Sequence, residues 1–269
     1  MTYFGFLIRF LIIPILFLSL IVQIDRRRGV AIPSHFRAFN PYVAILLNVV
    51  IAVAYTTLWD NYLVASGVWS YNPDLVAGII IGYVPIEEYI FFILQPLLAG
   101  LWLLLLLPRL HFPTAPSPLD PRWRRLPLFI LAILWTASLL VLLSGWAPGT
   151  YLGLELVWAL PPIMLQVGFG GDILRRYARL VLACLAPLTI YLSLVDAIAI
   201  SSGTWHIDPA QTLPFLIGGI LPVEEMVFFL LTNTLVTFGM VLILSQEGME
   251  RIRSMRNQLI SQSDEQASG

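Results

Sequence analysis

The 269-residue chain contains no lysine, one cysteine (Cys184) and three scattered histidines, His35, His111 and His206. A single cysteine excludes an internal disulfide, and histidines so placed offer no metal-ligand spacing, so neither a disulfide nor a metal centre is expected. Charge is scarce as well. Asp, Glu, Lys and Arg make up 12% of the chain against 58% hydrophobic residues, and the mean hydropathy is +0.85. This composition excludes a soluble domain and gives no footing for nucleic-acid binding; it is that of a polytopic membrane protein.

Apolar runs long enough to cross a bilayer core, which takes about 20 residues, lie near 3–22, 42–60, 75–107, 127–144, 151–168, 180–200 and 213–244. The expected fold is therefore all-α, with seven transmembrane helices. All 15 basic residues are arginines, and 14 of them follow helices 1, 3, 5 and 7; Arg9 is the exception. By the positive-inside rule these loops face the cytoplasm, which sets the N-terminus outside and the C-terminus inside the cell membrane. Residues 3–22 are followed by Asp25 and Arg26–Arg28, the wrong flank for a cleaved signal peptide, and read as an N-out span. The polar tail from Gln246 has no apolar run and is expected to fray.

Internal duplication organises the spans. Asp60 to Pro73 matches Asp196 to Pro209 without a gap, and after a one-residue shift Gly82, Pro85, Glu87, Glu88, Phe91 and Phe92 fall on Gly219, Pro222, Glu224, Glu225, Phe228 and Phe229. Upstream, Thr2, Tyr3, Gly5 and Pro14 match Thr150, Tyr151, Gly153 and Pro162. The plan is 3+1+3: a first three-helix repeat over 1–110, a linker with helix 4 over 111–149, a second repeat over 150–245, and a cytoplasmic tail over 246–269. Helices 1 and 5 then cross in the same direction, so the repeats are parallel, about an axis along the membrane normal.

Within each repeat a proline precedes paired glutamates inside an apolar run. Charged groups there cost about 2.5–3.5 kcal/mol each on insertion scales, so Glu87, Glu88, Glu224 and Glu225 are candidate functional residues. Counted at 1.5 Å per residue from the outer starts of helices 3 and 7, they lie roughly 16–20 Å down, near the middle of the bilayer. Pro85 and Pro222, beside Gly82 and Gly219, predict a kink or break just before the glutamates. A helix restarting there would favour ionised carboxylates in its first turn, while burial opposes the charge, which suits one proton shared by adjacent carboxyls. Glu88, Phe92 and Gln95 share one helical stripe, as do Glu225, Phe229 and Thr232; this more polar face favours Glu88 and Glu225 as the cavity-facing pair, with Glu87 and Glu224 still candidates. Phe91, Phe92, Phe228 and Phe229 fit two readings, rings that stabilise a cation or rings that pack and face lipid. Asp60 and Asp196 end helices 2 and 6, where they are either solvated caps or order the outer loops, and Asn233 and Gln95 add polar groups nearby. Trp69 and Trp205 read as aromatic-belt residues. Arg9 and Glu155, at similar depth, could pair.

The duplicated sequences PIEEYIFF and PVEEMVFF, the second continuing LLTNTL, resemble the integral-membrane lycopene beta-cyclases of archaea, of the fungal bifunctional enzymes and of the two-subunit bacterial type. The resemblance runs to about Leu244 and matches a fused single-chain form; after the motif the first copy departs from the second, with Gln95 and Pro96 where Thr232 and Asn233 stand. It implies protonation of a terminal double bond of a linear polyene, closure of a six-membered ring through a carbocation and removal of a ring proton. Such an isomerisation needs an acid, a base and exclusion of water, with no cofactor. No G-x-G-x-x-G follows a strand, unlike the soluble flavin-dependent cyclases. The implied partner is a lipid-soluble carotenoid reached from the bilayer. A different class also has this plan: parallel three-helix repeats joined by a linker span occur in small-solute transporters, where intramembrane carboxyls carry protons or cations.

Overall fold

The computed structural model describes residues 1–112 and 119–268, with side chains up to Ser261. Among the described residues seven helices are long and apolar enough to cross a membrane: α1 (Tyr3–Arg27), α2 (Pro41–Ala65), α3 (Ile86–Leu106), α4 (Arg122–Leu143), α5 (Thr150–Arg176), α6 (Ala178–Ser201) and α7 (Val223–Leu244). An eighth, α8 (Gln246–Ser268), follows directly. Local chemistry sets several starts. Thr2 accepts from Gly5 N at 3.2 Å to cap α1, and Asn40 accepts from Tyr42 and Val43 N ahead of Pro41 to cap α2.

α3 and α7 form the centre and pack on each other. Around them α1 and α2 flank α3, α5 and α6 flank α7, and α4 lies outside against α5. Prolines inside these helices leave unmatched carbonyls, which lipid cannot satisfy. Aromatic side chains of neighbouring helices fill the gap: Tyr191 donates to Phe10 O, freed by Pro14, and Tyr55 to Trp158 O, freed by Pro162, at 2.9 and 2.8 Å. Trp135 and Trp102 do the same for Val157 O and Ala183 O, ahead of Pro161 and Pro187. Each such bond ties two spans together.

The runs at 75–107 and 213–244 are not single bent helices. Their first parts fold as hairpins, β2 (Ile80–Ile81) with β3 (Val84–Pro85), and β5 (Leu216–Ile217) with β6 (Leu221–Pro222). Gly82 turns the first at φ +67°, a left-handed value that glycine tolerates, and Asn61 of α2 accepts from Tyr83 N at 2.8 Å to hold it. The second turn is one residue longer, with Gly218 and Gly219 both at positive φ. That extra residue is the one-residue shift of the duplication. α3 then starts straight after Pro85, and its 21 residues span about 31 Å, enough to cross the core unaided. Glu88 lies about 27 Å from Leu106 along this axis, so the glutamates sit toward the end away from the arginine-rich loops, not at mid-depth.

Over this end lies a short antiparallel pair, β1 (Trp69–Tyr71) with β4 (Trp205–Ile207), in which Ser70 faces His206. At the other end the tail is helical, contrary to the expectation that it frays. Ser245 Oγ accepts from Gly248 N and caps α8, and Arg251 makes two 2.8 Å bonds to Asp172 of α5. Tyr177, between α5 and α6, donates to Glu247; burial first and then that carboxylate push its hydroxyl up from the ordinary value, so it remains a donor.

Candidate active site

The adjacent glutamates of each motif point different ways, because neighbours on an α-helix are about 100° apart. Glu87 Oε1 accepts from Ala77 N and Glu224 Oε1 from Leu213 N, both at 2.7 Å. These two carboxyls anchor the chain entering each hairpin. Against the expectation of one proton shared by adjacent carboxyls, Glu87 and Glu88 meet separate partners; the second glutamate of each pair turns into a narrow pocket between the halves, lined also by Phe91, Phe228 and Phe229.

Glu88 and Glu225, 3% and 1% exposed, meet different surroundings there. Glu88 Oε2 accepts from Tyr3 OH at 2.5 Å and from Tyr71 OH at 3.1 Å. Glu225 Oε1 accepts from Tyr151 OH at 2.8 Å, and its carboxyl lies against that of Asp196, which accepts from Trp205 Nε1 at 3.0 Å. Asp60, the counterpart of Asp196, is 1% exposed, interacts with Glu88 and meets no hydrogen-bond donor; nor does Trp69, the counterpart of Trp205, find an acceptor for Nε1. Four carboxyls thus converge, one cluster ringed by phenols and the other built on a carboxyl–carboxyl contact.

Asp60 and Asp196 are therefore buried rather than solvated, Asp196 ties down Trp205 of the outer β4 strand, and Trp69 and Trp205 are walls of the pocket rather than interfacial belt residues. Glu155 is fully buried beside Tyr151 and Glu225. It does not pair with Arg9, which is exposed on α1 with its guanidinium reaching back toward Gly5, away from the apolar layer. Sequence reasoning missed Tyr3, Tyr71 and Tyr151 as site residues, although the match of Tyr3 to Tyr151 in the duplication was a signal for those two; Tyr71, which falls on Ile207, had none. Pro85 and Pro222 mark the helix starts. Gln95 and Asn233 lie deeper, where Gln95 Nε2 donates to Asn233 Oδ1 at 2.7 Å and Asn233 Nδ2 to Thr189 Oγ1 at 3.3 Å, joining α3, α7 and α6.

From this pocket an apolar groove of 460 Å³ runs between α2, α3, α5 and α7 to Ile252 of α8. Phe91 and Phe228 line both spaces, and Phe92 the groove. Ile51 and Leu165 at its mouth are 62% and 75% exposed, so it opens sideways, toward the surface that lipid would cover. At its head Trp59 stacks on Trp158 at 4.4 Å and on Phe228 at 5.7 Å. Carboxyls, aromatic faces and an apolar channel meet at one point.

Comparison with known proteins agrees with this construction. The lycopene cyclase family matches residues 1–106 and 148–243, which take in α1–α3 and α5–α7 and leave out α4. A lycopene beta-cyclase of Halobacterium salinarum is 40% identical over 207 residues, 77% of this chain and 83% of that protein. Bifunctional lycopene cyclase/phytoene synthases of Colletotrichum graminicola and Podospora anserina are 38% and 35% identical over 208 and 200 residues, 73% and 71% of this chain. The chain spans about a third of the length of these fungal relatives, 35% and 33%. No solved structure matches it significantly. On the extent of the family match and the likeness to the halobacterial protein, this membrane protein belongs to the lycopene cyclase family.

Proposed function

We propose that the protein is a lycopene beta-cyclase, an intramolecular lyase that closes linear end groups of a carotenoid into beta rings without net electron transfer. The observation that carries the reading is the placing of two unlike carboxyl clusters at the head of a lipid-facing apolar groove.

In this mechanism the polyene enters sideways and sets its terminal double bond between Phe91 and Phe228. Two carboxyls in contact in a dry pocket hold a proton between them, so Asp196 and Glu225 form the acid that protonates that bond. The carbocation is attacked by the neighbouring double bond and the six-membered ring closes. Ring faces of Phe228 and Phe91, which line the pocket, stabilise the positive charge by about 0.5–2 kcal/mol each. Glu88 is the base: phenol donors on Oε2 favour its carboxylate, and Oε1, which carries no hydrogen bond, takes the ring proton. The proton then returns across the pocket to Asp196–Glu225, and one proton in and one out balance the reaction. Glu87 and Glu224 hold the hairpins that close the site from above, and Gln95 and Asn233 fix the spacing of α3 and α7. On the same reading helices α1–α3 and α5–α7 are duplicated units, α4 is a linker span, and the arginine-rich face lies in the cytoplasm of a cell-membrane protein with its N-terminus outside.

Expression in a bacterium that accumulates lycopene tests the activity. Carotenoids with one or two beta rings are expected on pigment chromatography; unchanged lycopene beside correctly inserted protein would overturn it.

A further inference from the structure

Two grooves would follow from the duplication, yet the positions of the second are filled. The matched hydrogen bonds of Tyr55 to Trp158 O and Tyr191 to Phe10 O extend the repeat pairing along α2 and α6. By that pairing Ala52, Thr56 and Gly239, which line the open groove, correspond to Leu188, Leu192 and Trp102. Leu188 and Leu192 are 5% and 1% exposed, and the Trp102 indole reaches across from α3 to donate to Ala183 O of α6 at 3.1 Å. Ala183 O is free because Pro187 lacks the matching N–H, and Ile51 stands at the corresponding place on the open side. Thus a tryptophan, a proline and two leucines close one side. On the other, Gly239 is so tight that a Cβ there would come within 2.6 Å of Asn48 Oδ1, at the groove wall.

We propose that the chain takes one end of its polyene at a time through the α2/α5 groove, that Trp102 plugs the pseudo-equivalent route, and that the one-ring product is released before a second ring forms. The inference rests on the cyclase reading for its chemistry, but the asymmetry of access stands apart from it. A molecule held by a single groove must withdraw and turn round to offer its other end.

The experiment compares purified unaltered protein with Ala52→Leu, Gly239→Trp and Trp102→Phe in lipid vesicles containing isotopically labelled lycopene. Narrowing the groove is expected to lower formation of one-ring and two-ring products together by about tenfold or more, as small changes in a shaped apolar pocket do, while Trp102→Phe leaves ring formation intact. Adding excess unlabelled lycopene after the first turnovers is expected to trap label in the one-ring product. Equal loss in Trp102→Phe, unaffected activity in Ala52→Leu, or label passing to the two-ring product regardless of the chase would each overturn the proposal. Ala52→Leu backs up Gly239→Trp, whose side chain would meet Asn48, because Ala52 faces the open groove. Should the unaltered protein leave lycopene unchanged, the cyclase reading fails, and lycopene retained during purification by the unaltered protein and Trp102→Phe but lost from Ala52→Leu would still uphold the single route; equal retention in all would sink it.

Discussion

Two carboxyls one residue apart do different work here because the helix turns them to different partners. Glu224→Gln keeps an acceptor for Leu213 N but exchanges a charged for a neutral one, so stability is expected to fall by about 1 kcal/mol, and Glu224→Ala, which orphans the amide, by about 1–3 kcal/mol. Thermal unfolding in detergent reads both, and Glu224→Gln should still form rings. On the proposed mechanism Glu225→Gln and Glu88→Gln remove proton transfer itself, and turnover should fall about 10²- to 10⁴-fold with insertion unchanged. Pigment analysis after expression, normalised to membrane-inserted protein, checks this; full activity in both would remove them from the chemistry. The proline, the glutamates and the phenylalanines were legible from repetition inside apolar sequence. The contact of the tyrosines with the carboxyls was not, because Tyr3 sits at the first helical residue of the chain and Tyr71 at the end of strand β1, and only the fold brings both to Glu88.

At the level of elements, the hairpins explain why long apolar runs need not be long helices. Gly82 and Pro85 interrupt the first run as expected, but interruption yields a hairpin and a fresh start rather than a kink, because Asn61 and Glu87 supply the partners that the non-helical backbone requires. Hydropathy alone cannot register such tertiary partners, and the depth counted through residues 75–85 at helical rise was wrong for that reason. Gly82→Ala tests the turn. It forces a left-handed φ on alanine, about 1–2 kcal/mol, and adds a Cβ 2.1 Å from Asn61 Oδ1. Gly78→Ala, at φ +78° with open space around it, carries the first cost without the second. Unfolding temperature and ring formation are both expected to drop further for Gly82→Ala than for Gly78→Ala. The amphipathic tail shows the complementary case, in which polar sequence gained a helix because Asp172 and Ser245 hold its first turns.

For the whole molecule the decisive fact is that neither half owns the pocket. Tyr3, Asp60, Tyr71 and Glu88 come from before residue 112, and Tyr151, Asp196, Trp205 and Glu225 from beyond residue 119. What joins the halves is packing of α3 on α6 and α7 and of α2 on α7, together with the β1–β4 pairing, whose register is symmetric about Ser70 and His206. Backbone bonds continue the match, with Asn72 N donating to Thr204 O at 3.1 Å and Asp208 N to Val68 O at 2.9 Å. None of these contacts needs the covalent connection between Phe112 and Leu119. Residues 1–112 and 119–269 expressed as separate chains are therefore expected to insert, associate and form rings when made together. Confinement to one bilayer keeps their effective concentration high, so activity should fall by no more than about tenfold from that of the intact chain. Each piece alone should leave lycopene unchanged, since the proposed acid and base lie on different pieces. Co-purification through a tag on one piece measures the association, and chromatography of the pigments measures the chemistry. Pieces that co-purify yet form no ring would show that the connection positions the pocket, and ring formation by either piece alone would refute the division of acid and base between the halves.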